Sequence, residues 1–206
     1  MVVGPSGCLS AVRPSDLALE RGILRGGSAE IGIASGCQVS ALARADCGPR
    51  WTYARYVITV RPADVTDVAA LRVVASAAYD RYVRRIGRAP APMTADYTRT
   101  VRSGHAWVAV EHGEVVGLVV LVAQRDHLLL ENVAVLPAAQ GRGIGARLMT
   151  LAEDLARGLH LSEIRLYTNE AMTENLTYYL RHGYVETHRA EQDGFQRVFF
   201  RKRIAH

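Results

Sequence analysis

The sequence predicts an α/β protein: a mixed sheet with helices on both faces. Three stretches carry that prediction. Strand-like segments over His105–Glu111, Val115–Gln124 and His127–Leu136 follow one another across the short turns His112-Gly113 and Arg125-Asp126, the pattern of an antiparallel meander. The last of them runs through Pro137 into the glycine-rich Gln140-Gly141-Arg142-Gly143-Ile144-Gly145 and then into a helical repeat. Near the end of the chain, Tyr184–Arg189 and Phe195–Arg203 face each other across Asp193-Gly194 as a closing hairpin. At 206 residues, with 49% hydrophobic and 22% charged residues, the chain has room for one domain plus an appendage.

Residues 1–55 show no sustained period of 2 or 3.6 and hold all three cysteines. They are expected to be a disordered or non-native N-terminal extension, with the natural start near Val57 and the domain occupying residues 56–206. Tyr56–Arg61 alternates and reads as the first strand, ended by Pro62. Asp64 is placed to cap a helix whose buried face is Val68, Leu71, Val74, Ala75, Ala78, Tyr82 and Ile86. Gly87, Pro90 and Pro92 stop it, and Thr94 or Asp96 starts a short second helix to about Arg102. After the meander, Ile144, Leu148, Leu151, Leu155 and Leu159 mark a third helix ending near Gly158. Ser162–Thr168 alternates as a strand, and Thr173–His182 is a short helix closed by Gly183. The expected order is β-α-α-β-β-β-α-β-α-β-β.

The net charge of +5 and pI near 9.4 raise the question of a nucleic-acid partner. Lys202 is the sole lysine, and apart from Arg81, Arg84, Arg85, Arg88 and the Arg201-Lys202-Arg203 run the arginines are scattered. A nucleic-acid partner is therefore not expected. The longest apolar run, Val115–Ala123, is too short for a membrane helix. No export signal is visible, so a cytoplasmic protein is the default expectation. Cys8, Cys37 and Cys47 fit neither a zinc pattern nor a disulfide framework, and the histidines lack metal-binding spacing, so no metal is expected.

The glycine run carries the clearest chemistry. Backbone N–H groups at a helix start lack partners inside the helix, and the helix dipole makes that end positive. Glycines let an anion approach that backbone closely, which makes Gly141–Ala146 a candidate phosphate cradle. Just upstream, Glu131 is an acidic residue in an otherwise oily strand. Gly141-x-Gly143-x-x-Ala146 also fits a dinucleotide fingerprint, but that motif belongs to a parallel βαβ unit, whereas an antiparallel meander precedes it here. A P-loop fails because no Lys-Ser/Thr pair follows the glycines.

With this element order, the chain resembles the GNAT superfamily of acyl-CoA-dependent N-acetyltransferases over about residues 57–202. Gln140, Gly143 and Gly145 match the family's Gln/Arg-x-x-Gly-x-Gly/Ala signature, after the strand residues Asn132-Val133-Ala134-Val135-Leu136-Pro137. Tyr179-Leu180-Arg181-His182-Gly183-Tyr184 resembles its Tyr-x-x-x-Gly-Phe/Tyr segment. The resemblance implies acetyl-CoA as co-substrate, with its pyrophosphate on Gln140, Gly141, Arg142, Gly143, Ile144, Gly145 and Ala146. It places pantetheine along Val133, Ala134 and Val135, in a splay between the fourth and fifth strands. It implies acetyl transfer to a primary amine of a small molecule or protein by direct attack in a ternary complex. A non-catalytic acyl-CoA-binding module is the alternative, and a homodimer stays open.

By the same resemblance, Tyr179 protonates or hydrogen-bonds the departing thiolate; the competing reading is that it packs, like its neighbour Tyr178. Glu131 is either the base or ammonium-binding group, or an exposed carboxylate paired with an arginine. Alternation puts it on the strand face of Val133 and Val135. Many family members carry a cofactor-contacting Asn seven residues before the tyrosine. That position is Met172 here, and Asn175, one helical turn from Tyr179, is the candidate substitute. The acceptor pocket is expected from the first two helices and the hairpins, with Tyr79, Tyr82 and the segment Arg88-Ala89-Pro90-Ala91-Pro92-Met93 as lining.

Overall fold

The structure, a computed structural model, describes residues 58–205. The extension expected over residues 1–55, and the first residues of the strand expected from Tyr56, lie outside the described residues. The described chain forms a seven-stranded sheet of order β1-β2-β3-β4-β5-β7-β6. Its strands are β1 (Ile58–Pro62), β2 (Ala106–Glu111), β3 (Glu114–Ala123), β4 (Leu128–Val135), β5 (Glu163–Asn169), β6 (Val185–Gln192) and β7 (Phe195–Arg203). The helices are α1 (Val68–Ile86), α2 (Ala91–Thr94), α3 (Tyr97–Arg102), α4 (Ile144–Gly158) and α5 (Thr173–Arg181). β4 and β5 are parallel and the other pairs antiparallel, so the fold is the mixed α/β sheet expected from the meander and the hairpin.

Local chemistry explains the element boundaries. Asp64 and Asp67 form a reciprocal capping box: the Thr66 N–H donates to Asp64 at 2.8 Å and the Asp64 N–H donates to Asp67 at 2.8 Å. This box opens a 3-10 turn that leads into α1, and Gly87 closes α1 with φ of +81°. The prolines expected to stop the first helix also carry a helical turn of their own, ahead of the expected short helix. Pro90 precedes a one-turn helix, α2, in which Pro92 falls in the first turn, where a proline has no needed N–H to lose. The Arg99 N–H donates to Asp96 at 3.0 Å, which fixes the start of α3.

The sheet separates two apolar clusters. On one face α4 packs Ile144, Leu148, Met149, Ala152 and Ala156 onto Leu128, Leu130, Ile164, Leu166 and Phe200. The expected helix face, with Leu151, Leu155 and Leu159, is rotated in the structure toward the two alanines. Small residues bring the helix axis closer to the sheet, and Leu151 and Leu155 pack at the margin. Gly117 serves the same close approach: a Cβ there would lie 3.1 Å from Ile144 Cγ2 and 3.2 Å from the Ala134 carbonyl oxygen. On the other face α1 and α3 bury Leu71, Val74, Tyr79, Tyr82 and Tyr97 against Val108, Leu118 and Val120. Among the described residues, no helix is long and apolar enough to cross a membrane.

One irregularity in β4 positions everything that follows. Val120 pairs with Asn132 and Leu121 with Leu130, which leaves Glu131 as the extra residue of a β-bulge. Leu128 and Leu130 belong to the α4-side cluster, and so do Val133 and Val135. The side-chain alternation therefore changes phase at Glu131.

Candidate active site

β4 and β5 pair only over Leu128–Leu130 and Ile164–Leu166, after which they part. Leu136 N–H donates to the Val116 carbonyl at 2.9 Å, so strand alternation points the N–H and C=O of Val133 and Val135 away from β3, into the gap. Two side chains already reach those carbonyls. Gln140 Nε2 donates to Val135 O at 3.0 Å, and the Tyr79 hydroxyl lies 3.3 Å from Val133 O. The gap opens into a cavity of about 450 Å³ that also takes in the glycine run and α5.

The glycine run turns through backbone that favours glycine. Gly141 and Gly143 have φ of +76° and +79°, and Gly143 is the residue before the first turn of α4. No atom lies within 4 Å of where a Cβ would stand at either position, so the loop faces open space. Gly145 is different: a Cβ would meet the Tyr178 hydroxyl at 2.8 Å. The loop thus turns the backbone of a helix start, whose first N–H groups have no partner within the helix, toward a cavity, an arrangement suited to an anion such as pyrophosphate.

Of the residues expected to hold a cofactor, Val133, Ala134, Val135, Gln140, Gly141, Gly143, Ile144, Gly145, Ala146 and Asn175 line this cavity together. Arg142 does not. Its guanidinium pairs with the buried Glu111 at the end of β2, which turns the side chain off the cavity. Asn175 lies 3.5 Å from Thr168 Oγ1 and from Met172 Sδ through its amide nitrogen, and accepts from the Tyr82 hydroxyl at 3.4 Å. Met172 falls before α5 begins, so no helical side chain occupies that position.

Tyr179 sits where this cavity meets a second one of about 610 Å³; Tyr79, Val133 and Tyr179 line both. Its ring is wedged edge-on against Tyr178 and Tyr184 at 5.7 and 5.9 Å, and against Phe200 at 5.7 Å. Burial, reinforced by Tyr178 and Tyr82, pushes its phenol pKa well up from the ordinary value, so the hydroxyl stays protonated. The ring packs, as one of the two expectations has it, and the residue also borders both cavities.

Glu131 lines the larger cavity and not the smaller. The expectation that it shares a face with Val133 and Val135 fails, because the bulge shifts the alternation between them. The carboxylate is exposed and has no ion pair among the described residues, so the arginine partner considered for it is absent there. Tyr79 is buried and borders both cavities, whereas Tyr82 reaches the smaller one and Met93 reaches neither, packing instead in the α1-side cluster. Pro90, Ala91 and Pro92 do line the larger cavity.

Several lining residues escape a reading of the sequence. Asn132 is buried beside the bulge, where it accepts from the Tyr79 hydroxyl at 2.7 Å and donates to the Tyr97 hydroxyl at 3.0 Å. Tyr97 in turn donates to the Pro92 carbonyl at 2.9 Å, so one chain of hydrogen bonds ties α1, α2, α3 and β4 together. The adjacent polar pair Glu131-Asn132 in an apolar strand was the available signal for a bulge. Tyr167 and Arg197 carry no local signal at all, because the β5–β7 pairing brings them to the cavity.

Comparison with known proteins agrees with this geometry. The chain is 34% identical over 91 residues to an aminoalkylphosphonate N-acetyltransferase of Salmonella typhimurium, a match covering 41% of this chain. It spans 58% of that relative's length. The solved PaiA N-acetyltransferase from Thermoplasma acidophilum, in complex with coenzyme A, superposes with a TM-score of 0.59 at 16% identity, over 71% of this chain and 99% of that one. The ribosomal-protein-S18-alanine N-acetyltransferase from Escherichia coli gives a TM-score of 0.59 at 16% identity, over 73% of this chain and 96% of that one. These two likenesses establish the fold, in which an antiparallel meander and not a parallel βαβ unit leads into the glycine run. The model of the acetyltransferase (GNAT) family matches residues 73–184, from α1 to just past α5, and the chain belongs to that family.

Proposed function

We propose that the chain transfers an acetyl group from acetyl-CoA to a primary amine, by direct attack within a ternary complex. The observation that carries this is the meeting of two cavities at Tyr179 and Val133: one faces the glycine loop, the other an unpaired carboxylate. Acetyl-CoA lies in the smaller cavity, with its pyrophosphate on the N–H groups of Gly141–Ala146 and its pantetheine arm along Val133–Val135. An N–H of the splayed strand polarises the thioester carbonyl as negative charge develops on its oxygen.

The acceptor enters from the larger cavity. Glu131, directly or through water, takes a proton from the incoming ammonium, and the neutral nitrogen attacks the thioester carbon. The C–N bond forms, the C–S bond breaks, and the thiolate takes its proton from the Tyr179 hydroxyl, which recovers one through water from the nitrogen as the amide forms. Because burial raises the Tyr179 pKa, the phenol stays protonated until that transfer and donates a hydrogen bond to the departing sulfur as charge develops on it. Family membership supports the chemistry, and the named acceptor of the Salmonella relative, an aminoalkylphosphonate, is itself an amine. A cavity of about 610 Å³ suits a small acceptor.

The test is thiol release from acetyl-CoA across a panel of amines, with calorimetry of acetyl-CoA and NADH alongside. Acetyl-CoA binding with amine-dependent thiol release is expected. Acetyl-CoA binding with no release for any amine would leave a binding module, and NADH binding without CoA binding would overturn the cofactor.

A further inference from the structure

We infer that the acceptor is a zwitterion: an amine whose far end carries a carboxylate or phosphonate-like anion, held by Arg99 and Arg197. This rests on the reading of the larger cavity as the acceptor side. Among the charged side chains that line it, Glu131 has no cation within ion-pair distance and Arg99 has no carboxylate partner among the described residues. An unpaired carboxylate and an unpaired guanidinium share one cavity without meeting each other. The cavity is therefore electrically divided, and a ligand with one charge of each sign satisfies both ends.

The placement of the poles follows from the sheet. Glu131 stands on the central β4, two residues from Val133, where the two cavities meet and the amine must react. Arg197 comes from β7, beyond β5, opposite Asn169. It is 9% exposed, with its guanidinium 4.2 Å over the Tyr167 ring. Its two terminal nitrogens donate to Gln192 Oε1 at 3.1 Å and Asp193 Oδ2 at 2.9 Å. Those bonds use only some of its five N–H donors and hold the group rigid, and the Asp193 carboxylate is 70% exposed and screened by solvent. Arg99, on α3, adds a second guanidinium to the lining. Asp96 also lines the cavity, but its carboxylate accepts the Arg99 N–H as the cap of α3.

Guanidinium groups favour planar or tetrahedral oxyanions through paired N–H donors. A diamine would set its second ammonium against Arg99 and Arg197, and a neutral-tailed amine would leave both unused. The decisive experiment is calorimetry on the full chain saturated with coenzyme A, using aminoethylphosphonate, β-alanine, ethanolamine and diaminobutane as probes. At least one anionic probe is expected to bind about tenfold tighter than ethanolamine, a typical margin for a charge-assisted contact; comparing the two separates phosphonate from carboxylate. Arg99→Ala is expected to erase most of that margin and leave ethanolamine binding unchanged, and the more conservative Arg197→Lys to weaken it.

Equal or tighter binding of diaminobutane or ethanolamine would overturn the inference, as would failure of both anionic probes to bind. So would an anion preference that survives in an Arg99→Ala/Arg197→Lys chain of unchanged circular dichroism. Thiol release, read separately, distinguishes this from the transferase itself. Anion-selective binding without thiol release sinks the transferase and leaves the zwitterion site. Thiol release with ethanolamine but not with the anionic amines does the reverse.

Discussion

The two cavities that meet at Tyr179 are built from different materials. The smaller has one wall of main chain, the parted edge of β4, the left-handed turns at Gly141 and Gly143 and the first turn of α4, faced by side chains of α1 and α5. The larger is made of side chains delivered from eight elements, with Asn132 and Tyr97 fixed by hydrogen bonds to distant residues and Arg197 by bonds to Gln192 and Asp193 within its own hairpin. In the proposed function, the main-chain wall recognises what is common to every coenzyme A molecule and tolerates sequence drift at most positions. A side-chain surface can be altered one residue at a time without disturbing the other half, which is the division a transferase of variable acceptor requires.

The sharpest way to break that comparison is at the boundary. Tyr179→Phe removes the hydroxyl and keeps the ring contacts, so turnover is expected to fall by about 10²–10⁴-fold, the usual range for a lost general acid. Coenzyme A affinity should hold. Because burial raises the phenol pKa above the ordinary value of about 10, its protonated form persists to higher pH. The wild-type rate should therefore rise with pH as the acceptor amine deprotonates, without an alkaline decline between about pH 7 and 9.5. A descending limb in that window, lost in Tyr179→Phe, would mean a lowered phenol pKa and a different chemical role.

Within the main-chain cavity, Gly143→Glu combines a left-handed backbone position with a carboxylate aimed at phosphates. The strain costs about 1–2 kcal/mol of stability, while the carboxylate repels and displaces the phosphates, so coenzyme A affinity is expected to fall about 100-fold by calorimetry. Affinity for amines, probed by competition, should change far less. Equal losses on both sides would show that the two cavities are one mechanical unit.

The same division explains what the sequence revealed. Main-chain sites leave local marks: Gln140-Gly141-Arg142-Gly143-Ile144-Gly145 names its own turns, and the meander and hairpin name the sheet around it. The family followed from those marks. Side-chain sites are assembled by register, and register is where local reading failed. One extra residue at Glu131 reversed the strand phase, Arg142 turned to a β2 carboxylate that no spacing connects to it, and Met93 packed inward. Tyr167 reaches the cavity because β5 lies beside β4, and Arg197 because β7 inserts between β5 and β6.

Asn132→Leu tests whether the side-chain cavity depends on its hydrogen-bonded frame. Tyr79 and Tyr97 would each lose a buried partner, at about 1–3 kcal/mol in stability. The tie from β4 through Tyr97 to the Pro92 carbonyl would then loosen the wall made by α2 and α3. An acceptor KM raised about tenfold with coenzyme A affinity held within about twofold is the expected pattern. Matching losses for both ligands would instead place Asn132 in the shared framework.

Arg142→Ala carries the smallest expected effect on ligand binding and isolates the main chain most directly. Arg142 lies within the glycine run, yet its guanidinium is committed to Glu111, whose side chain is only 6% exposed. If the loop holds phosphates through backbone N–H groups, deleting this side chain should leave coenzyme A affinity within about twofold. Stability should suffer instead, because Glu111 stays buried without that guanidinium. Arg142 is 35% exposed, so solvent softens the loss to about 1–2 kcal/mol, a melting point lowered by a few degrees. A chain that melts normally but binds coenzyme A tenfold more weakly would put the guanidinium on the phosphates, and the smaller cavity would no longer be a main-chain site.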